Sequence, residues 1–289
     1  MERIKFLILL MAVTFNFITS TAQDINPYLL KGMEAMDNND SAKALEFFKK
    51  GASEGDKYCY GRLAALYLYG IGVDVDLQEC RKWAMRGYEL GNSYSTMILG
   101  FSFLIEGGMN NMEALERGIP FFIYAYNADD RKFESDGGFS DICGMVAGYF
   151  TATGNNAEAE KWIERGIKEY PEHYPNYGAA SMLYYSWENY SKALEYATIA
   201  EEGGDLRGTL IKGLCLINGE GIPIDEELGF KKIRKSAIAE VDAQAPYFLG
   251  LCYFYGQGTD TNKTEAKKWF EKAAQLGSEA AISILQEEY

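Results

Sequence analysis

Leu63-Ala64-Ala65-Leu66-Tyr67-Leu68-Tyr69-Gly70-Ile71-Gly72 and Leu249-Gly250-Leu251-Cys252-Tyr253-Phe254-Tyr255-Gly256-Gln257-Gly258 are one pattern written twice in the same chain. A third copy runs Lys212-Gly213-Leu214-Cys215-Leu216-Ile217-Asn218-Gly219-Glu220-Gly221, and a looser fourth is Leu99-Gly100-Phe101-Ser102-Phe103-Leu104-Ile105-Glu106-Gly107-Gly108. Self-similarity on this scale is the signature of a solenoid. Each copy reads as a first helix that buries Leu, a small residue and an aromatic at i, i+1 and i+4, the small residue letting a neighbouring helix approach. The Gly-x-Gly that follows tolerates positive φ, so it ends the helix and turns the chain. A second, amphipathic helix comes next. In the last copy it is Glu265 to Gly277, with Ala266, Trp269, Phe270, Ala273 and Leu276 on one face and the charges on the other. Trp83 takes the corresponding place in the first copy.

These residues make the chain resemble the Sel-one-like repeat family, a sister of the tetratricopeptide repeat. Segment 245–277 follows that pattern almost position by position, 59–91 and 208–240 are good matches, and 95–127 keeps the first helix without the full turn. Two middle units look like plain tetratricopeptide repeats, one through Cys143, Val146, Ala147, Phe150, Ala159, Ile163, Gly166 and Pro171. The other does so through Tyr177, Ala180, Ser181, Tyr184, Ala193, Ala197 and Ala200. A divergent unit, with Asn39-Asp40-Ser41 as a helix cap, opens the array. The resemblance implies an all-α fold, an α/α superhelical solenoid of helix-turn-helix repeats. The expected helix pairs lie at 27–55, 57–91, 93–127, 137–170, 174–203, 205–240 and 243–277, with a capping helix at 278–287. The first-helix positions Tyr67, Phe103, Phe150, Tyr184, Leu216 and Tyr253 recur at steps of 36, 47, 34, 32 and 37. The long step coincides with the polar stretch Asn127 to Gly138, which reads as a long loop where the superhelix bends or breaks register.

Residues 1–22 stand apart from the repeats. Arg3 and Lys5 precede the apolar run Phe6 to Ile18, and the small polar stretch Thr19 to Ala22 follows, which is the layout of a signal peptide cut before Gln23. The run is shorter than the roughly 20 apolar residues of a spanning helix. The expectation is an exported protein, periplasmic or extracellular, with residues 23–289 as the repeat domain and no stable membrane insertion after cleavage. The net charge of -14 repels a phosphate backbone or an anionic lipid surface, so no nucleic-acid partner is expected. The five cysteines, Cys59, Cys80, Cys143, Cys215 and Cys252, form no C-x-x-C pair or zinc-ligand spacing and read as free buried thiols. Cys215 and Cys252 occupy equivalent places in successive first helices, roughly 8–10 Å apart, which is too far for a bridge. Secreted cysteine-rich relatives staple each unit with a disulfide. Only the first unit here has two cysteines, at unequal offsets from its turn, so that subgroup fits poorly.

Catalytic chemistry finds little support. His173 is the only histidine and lies between Pro171 and Pro175, where it reads as an exposed turn residue. A hydrolase resembling a β-lactamase would need Ser-x-x-Lys or Lys-Thr-Gly, and neither occurs. The Gly-x-Gly pairs join helices and are not phosphate loops, and the acidic run Glu134 to Asp141 lacks the spacing of a calcium loop. No cofactor and no metal are implied. The resemblance places the first helices on a concave face, and its outward positions fall on Tyr58 and Tyr69, Tyr94 and Phe101, Met182 and Tyr185, then Tyr247 and Phe254. Rows of large rigid rings suit a peptide or a partner helix. The sequence therefore predicts a non-enzymatic protein-interaction scaffold, with a glycan-capture protein as the alternative and a hydrolase behind it.

Overall fold

The computed structural model describes residues 25–108, 111–128, 130, 138–239 and 243–289. The described residues are helical throughout, and the predicted α/α solenoid of helix-turn-helix repeats is the observed fold. The signal-like segment 1–22 and residues 131–137 of the expected long loop lie outside the described residues. The chain divides between Thr153 and Gly154 into two compact units.

The first unit holds α1 (Pro27–Asp37), α2 (Ser41–Ser53), α3 (Lys57–Tyr69), α4 (Leu77–Glu89), α5 (Ser93–Gly107), α6 (Met112–Asn127) and α7 (Phe139–Ala152). Helices α1/α2, α3/α4 and α5/α6 are hairpins, and α7 packs on α6. The second unit holds α8 (Asn156–Glu169), α9 (Tyr174–Ser186), α10 (Tyr190–Glu202), α11 (Leu206–Asn218), α12 (Glu226–Ile238), α13 (Gln244–Tyr255), α14 (Lys263–Gln275) and α15 (Glu279–Glu288). Here α9/α10, α11/α12 and α13/α14 are the hairpins, α8 packs on α9, and α15 covers α14. The boundary between the units falls between α7 and α8, within the segment read as one repeat at 137–170.

Short polar caps start most of these helices. The side chains of Asp40, Asp56, Asn92, Asn155, Asn189, Asp225 and Asn262 each accept a hydrogen bond from a backbone N–H in the following turn. Such a cap satisfies one of the donors that a helix start leaves orphaned, at about 1 kcal/mol each. At the other end, Gly70, Gly219 and Gly256 sit in the left-handed region and return their N–H to Leu66, Cys215 and Cys252. One further bond closes each loop identically: the backbone N–H groups of Asp76, Asp225 and Asn262 donate to the carbonyls of Tyr67, Leu216 and Tyr253. Three turns of different sequence thus share one backbone geometry.

Packing within a hairpin works through a missing side chain. A Cβ on Gly250 of α13 would lie 2.6 Å from the ring of Phe270 on α14, so that ring occupies the notch the glycine leaves. Phe270 is fully buried there with Ala266, Ala273 and Ala281. Packing between hairpins uses the second glycine of each turn. Gly72 abuts Ser41 at the start of α2, Gly221 abuts Tyr190 at the start of α10, and Gly258 abuts Glu226 at the start of α12. All five cysteines are free and buried. Burial pushes Cys80, Cys215 and Cys252 up to about 12, far from thiolate reactivity at neutral pH. Among the described residues no helix is long and apolar enough to cross a membrane.

One ion cluster ties three helices of the second unit. Glu201 of α10, only 18% exposed, bonds Lys212 of α11 at 3.2 Å and Lys232 of α12 at 2.5 Å. Burial alone would raise its carboxyl, but the two lysines outweigh burial and hold it below the ordinary glutamate value of 4.5.

Two predictions test this packing. Gly258→Ala combines a φ of +68° with a Cβ only 2.0 Å from the Glu226 carbonyl oxygen, whereas Gly277→Ala has a φ of +95° and open space around it. The second substitution should cost about 1 kcal/mol and the first about 3 kcal/mol or more in urea denaturation; equal losses would show that the close approach is not felt. For Glu201, a folded-state pKa below the unfolded one gives stability that is present above the unfolded value and lost as pH falls through the folded value. The stability gap between wild type and Glu201→Gln should be widest near neutral pH and narrow below about pH 4.5; a constant gap down to about pH 3 would exclude the linkage.

Candidate functional site

The first helices carry the residues that the sequence assigned to a binding face, and each unit treats them differently. In the first unit, Tyr58 is half-buried with the Lys57 ammonium 5.1 Å from its ring centre. Tyr69 is also half-buried, and burial, followed by the neighbouring Tyr94, pushes its phenol well above the ordinary tyrosine range. Phe101 is half-buried, edge-on to Phe122 of α6 at 4.9 Å. Tyr94 departs from expectation: it is 3% exposed, and the Arg62 guanidinium lies 4.0 Å from its ring centre. The reason is Gly61 of α3, which leaves room for the Tyr94 ring to press against its backbone. Tyr94 is therefore a packing residue between successive first helices and presents no surface to a partner.

The second unit keeps more of its rings accessible. Met182 and Tyr185 of α9 are half-buried, with Tyr185 edge-on to Tyr190 at 5.6 Å. Asn218 donates to the Tyr185 hydroxyl at 3.4 Å, while burial and the Glu220 carboxylate raise the Tyr185 pKa. Tyr247 and Phe254 of α13 are half-buried against Phe270 at 6.0 and 6.3 Å and belong to the terminal core. The most exposed ring here is one the sequence reading passed over: Tyr255 is 65% exposed. The repeat alignment contained the signal, because Tyr255 is the counterpart of Tyr69, whereas Phe254 is the counterpart of Leu68, which is 1% exposed. Helices α9 and α13 contain no Asp, Glu, Lys or Arg.

A polar cluster absent from the sequence reading joins α8, α9 and α10. The Tyr184 hydroxyl lies 2.8 Å from both Glu160 and Glu164, and Lys192 donates to it at 3.0 Å. Tyr196 donates to Glu164 at 3.0 Å, and its ring stacks on Tyr184 at 5.6 Å. Burial and the two carboxylates push the Tyr184 phenol up, while its hydrogen bond and that of Lys192 hold Glu160 down. The cluster works as a polar stitch between helices. Its carboxylates contact their own protein's hydroxyls and ammonium. His173 occupies the N-cap position of α9, half-buried rather than fully exposed. Among the described residues no group of three or more His, Cys, Asp or Glu is placed to hold a metal ion.

Comparison with known proteins agrees with this architecture. The Sel1 repeat family model matches residues 29–56, 58–92, 177–205, 213–231 and 243–278, together about half of the chain. It takes in 177–205, which the sequence reading had grouped with plain tetratricopeptide repeats. Chitin synthase regulatory factor 4 of Schizosaccharomyces pombe is 24% identical over 267 residues, which cover 88% of this chain and 36% of that protein. The chain thus spans about a third of the length of this curated relative. Among solved structures, a Sel1 repeat protein from Oxalobacter formigenes superposes with a TM-score of 0.67 at 20% identity, covering 88% of this chain and all of that one. A protective antigen of uropathogenic Escherichia coli with an SLR fold gives a TM-score of 0.65 at 22% identity, covering 91% and 56% of the two chains. At these identities the structural likeness speaks to the fold.

Rings that build the stack and rings that face outward separate on mutation. Tyr94→Ala should cost about 3 kcal/mol of stability, as truncation of a buried ring does, and Tyr255→Ala should stay within about 0.5 kcal/mol. Thermal or urea unfolding distinguishes them, and a large loss at Tyr255 would show that it is structural.

Proposed function

Because this chain belongs to the Sel1 repeat family, a class of repeat scaffolds that bind protein partners, we propose that it is a non-enzymatic scaffold which holds a peptide or helical partner against its first helices. The reading rests on one observation: in the second unit, α9 and α13 are free of charged residues while Met182, Tyr185 and Tyr255 stay partly or largely open to solvent. An apolar partner side chain buries there without stripping water from a charge, and tyrosine offers area at little entropic cost. A surface meant for a strongly charged partner would carry complementary charges on these helices. We place its work in the cell envelope or outside the cell, on the strength of Arg3, Lys5 and the apolar run Phe6 to Ile18.

The test is affinity capture with the mature chain, comparing wild type with Tyr185→Ala combined with Tyr255→Ala. The double variant should retain its helical content and melting behaviour and lose about tenfold or more of its affinity for the captured partner. Unchanged affinity in a folded double variant would remove these helices as the binding face.

A further inference from the structure

The first unit contains an open cleft of about 660 Å³ whose lining includes Lys57, Gly91, Pro120, Ile123, Tyr124 and Asp130. Its size falls within the roughly 300–1,000 Å³ of small-ligand sites. It is formed by the second helix α6, the start of α3 and the turn after α4.

Two features give the cleft its chemistry. The first is a ring held in place while open to solvent. Tyr124 is 46% exposed, yet one flank rests against Tyr88 at 5.2 Å, and Tyr88 rests against Phe121 at 5.7 Å. Phe121 stacks on Phe103 at 5.7 Å, and the guanidiniums of Arg81 and Arg117 lie 4.7 and 4.5 Å from the Phe103 ring centre. Both arginines are paired to Glu106, so the chain of contacts ends in an ion cluster. A ring fixed in this way gives up little conformational freedom when a ligand covers it.

The second feature is a polar rim without net charge. The Asp130 carboxylate accepts from the Ser93 N–H at 3.1 Å, from the Asn92 amide at 3.3 Å and from the Lys57 ammonium at 3.4 Å. Every one of these contacts is longer than the 2.7–2.9 Å or so of a tight charge-assisted bond. The Asp130 side chain is only 11% exposed and is committed to these donors, whereas the Lys57 ammonium, 32% exposed and with three donors, can take a further partner. Each also holds the other's charge, so an ionic ligand approaching either group meets the opposite sign beside it. A neutral ligand with several hydroxyls meets no such opposition.

We propose that this cleft binds a neutral saccharide, with the C–H face of a sugar ring on Tyr124 and Pro120 and its hydroxyls on the Lys57 ammonium, whose charge Asp130 balances. A ring with one apolar face and a polar edge matches an aromatic wall beside a charge-balanced rim. The apolar side chain of a peptide would use the wall and leave the rim unanswered. This site is independent of the partner-binding face proposed above, and either can fail without the other.

The experiment is calorimetric titration of the mature chain with cellotriose, maltotriose and triacetylchitotriose. At least one of the three should bind, Tyr124→Ala should weaken it about tenfold or more, Tyr124→Phe should restore it, and Tyr255→Ala should leave it unchanged. Equal melting temperatures of the variants show that the fold is intact. Absence of binding to all three sugars overturns the proposal, as does binding that survives Tyr124→Ala. A neutral apolar peptide that binds with the same Tyr124 dependence while the sugars do not also overturns it, and reassigns the cleft to protein recognition.

Discussion

A ring seated in the gap left by an absent side chain holds three of the described hairpins together, with Phe48 over Gly32 as the first case. Phe270 fills the space over Gly250, and Phe122 does the same over Gly100. Such contacts bring helix axes close and remove a whole aromatic surface from water, which no exchange of surface charges could match. They are also unforgiving, since even one methyl group on the glycine meets the ring below 3 Å. The stacking of one hairpin on the next repeats this economy at the turns, where the second glycine lets backbone touch backbone. With both contacts made by small residues, the larger side chains are released for other roles.

That release explains why the two units offer their aromatic residues so unequally. In the first unit the rings of α5 find glycine on one neighbour and phenylalanine on the other, and they are consumed in packing. In the second unit the most exposed ring is Tyr255, the last residue of α13. The first unit instead shows its open ring on a second helix, at Tyr124, where a ladder of aromatic contacts backed by arginine keeps it in place. The same side-chain type serves as core in one setting and as surface in the other, and the neighbouring glycine decides which.

The fold was legible because the repeat is periodic and its turns are chemically unambiguous: Gly-x-Gly after an apolar helix has few other meanings, and the three turns it predicts share one hydrogen-bond pattern. The binding face was only partly legible. Helical periodicity gives the side of a helix that faces a neighbour, but exposure within that side depends on what the neighbour places opposite. Nothing in the local sequence of Tyr94 announces that Gly61 will receive it. Tyr255 was within reach, since the alignment with Tyr69 fixes its register. The Tyr184 cluster and the Asp130 clasp join residues 20 to 73 positions apart in the chain, and only the packed helices bring them together.

Net charge shows a related limit of composition. A value of -14 invites the inference that acidity selects a basic partner. Some of its carboxylates already have an internal assignment: Asp40, Asp56, Asp76, Asp205 and Asp225 cap helices. Glu201 and Asp130 are committed to lysines within their own units. A carboxylate that accepts backbone hydrogen bonds at a helix start has its charge partly balanced by the helix dipole, and it exerts correspondingly less pull on a distant cation. Helix α13, which carries the 65% exposed Tyr255, bears none of that charge, and neither does α9. Part of the acidity in this protein is thus a by-product of how short helices are started, which says nothing of a basic partner.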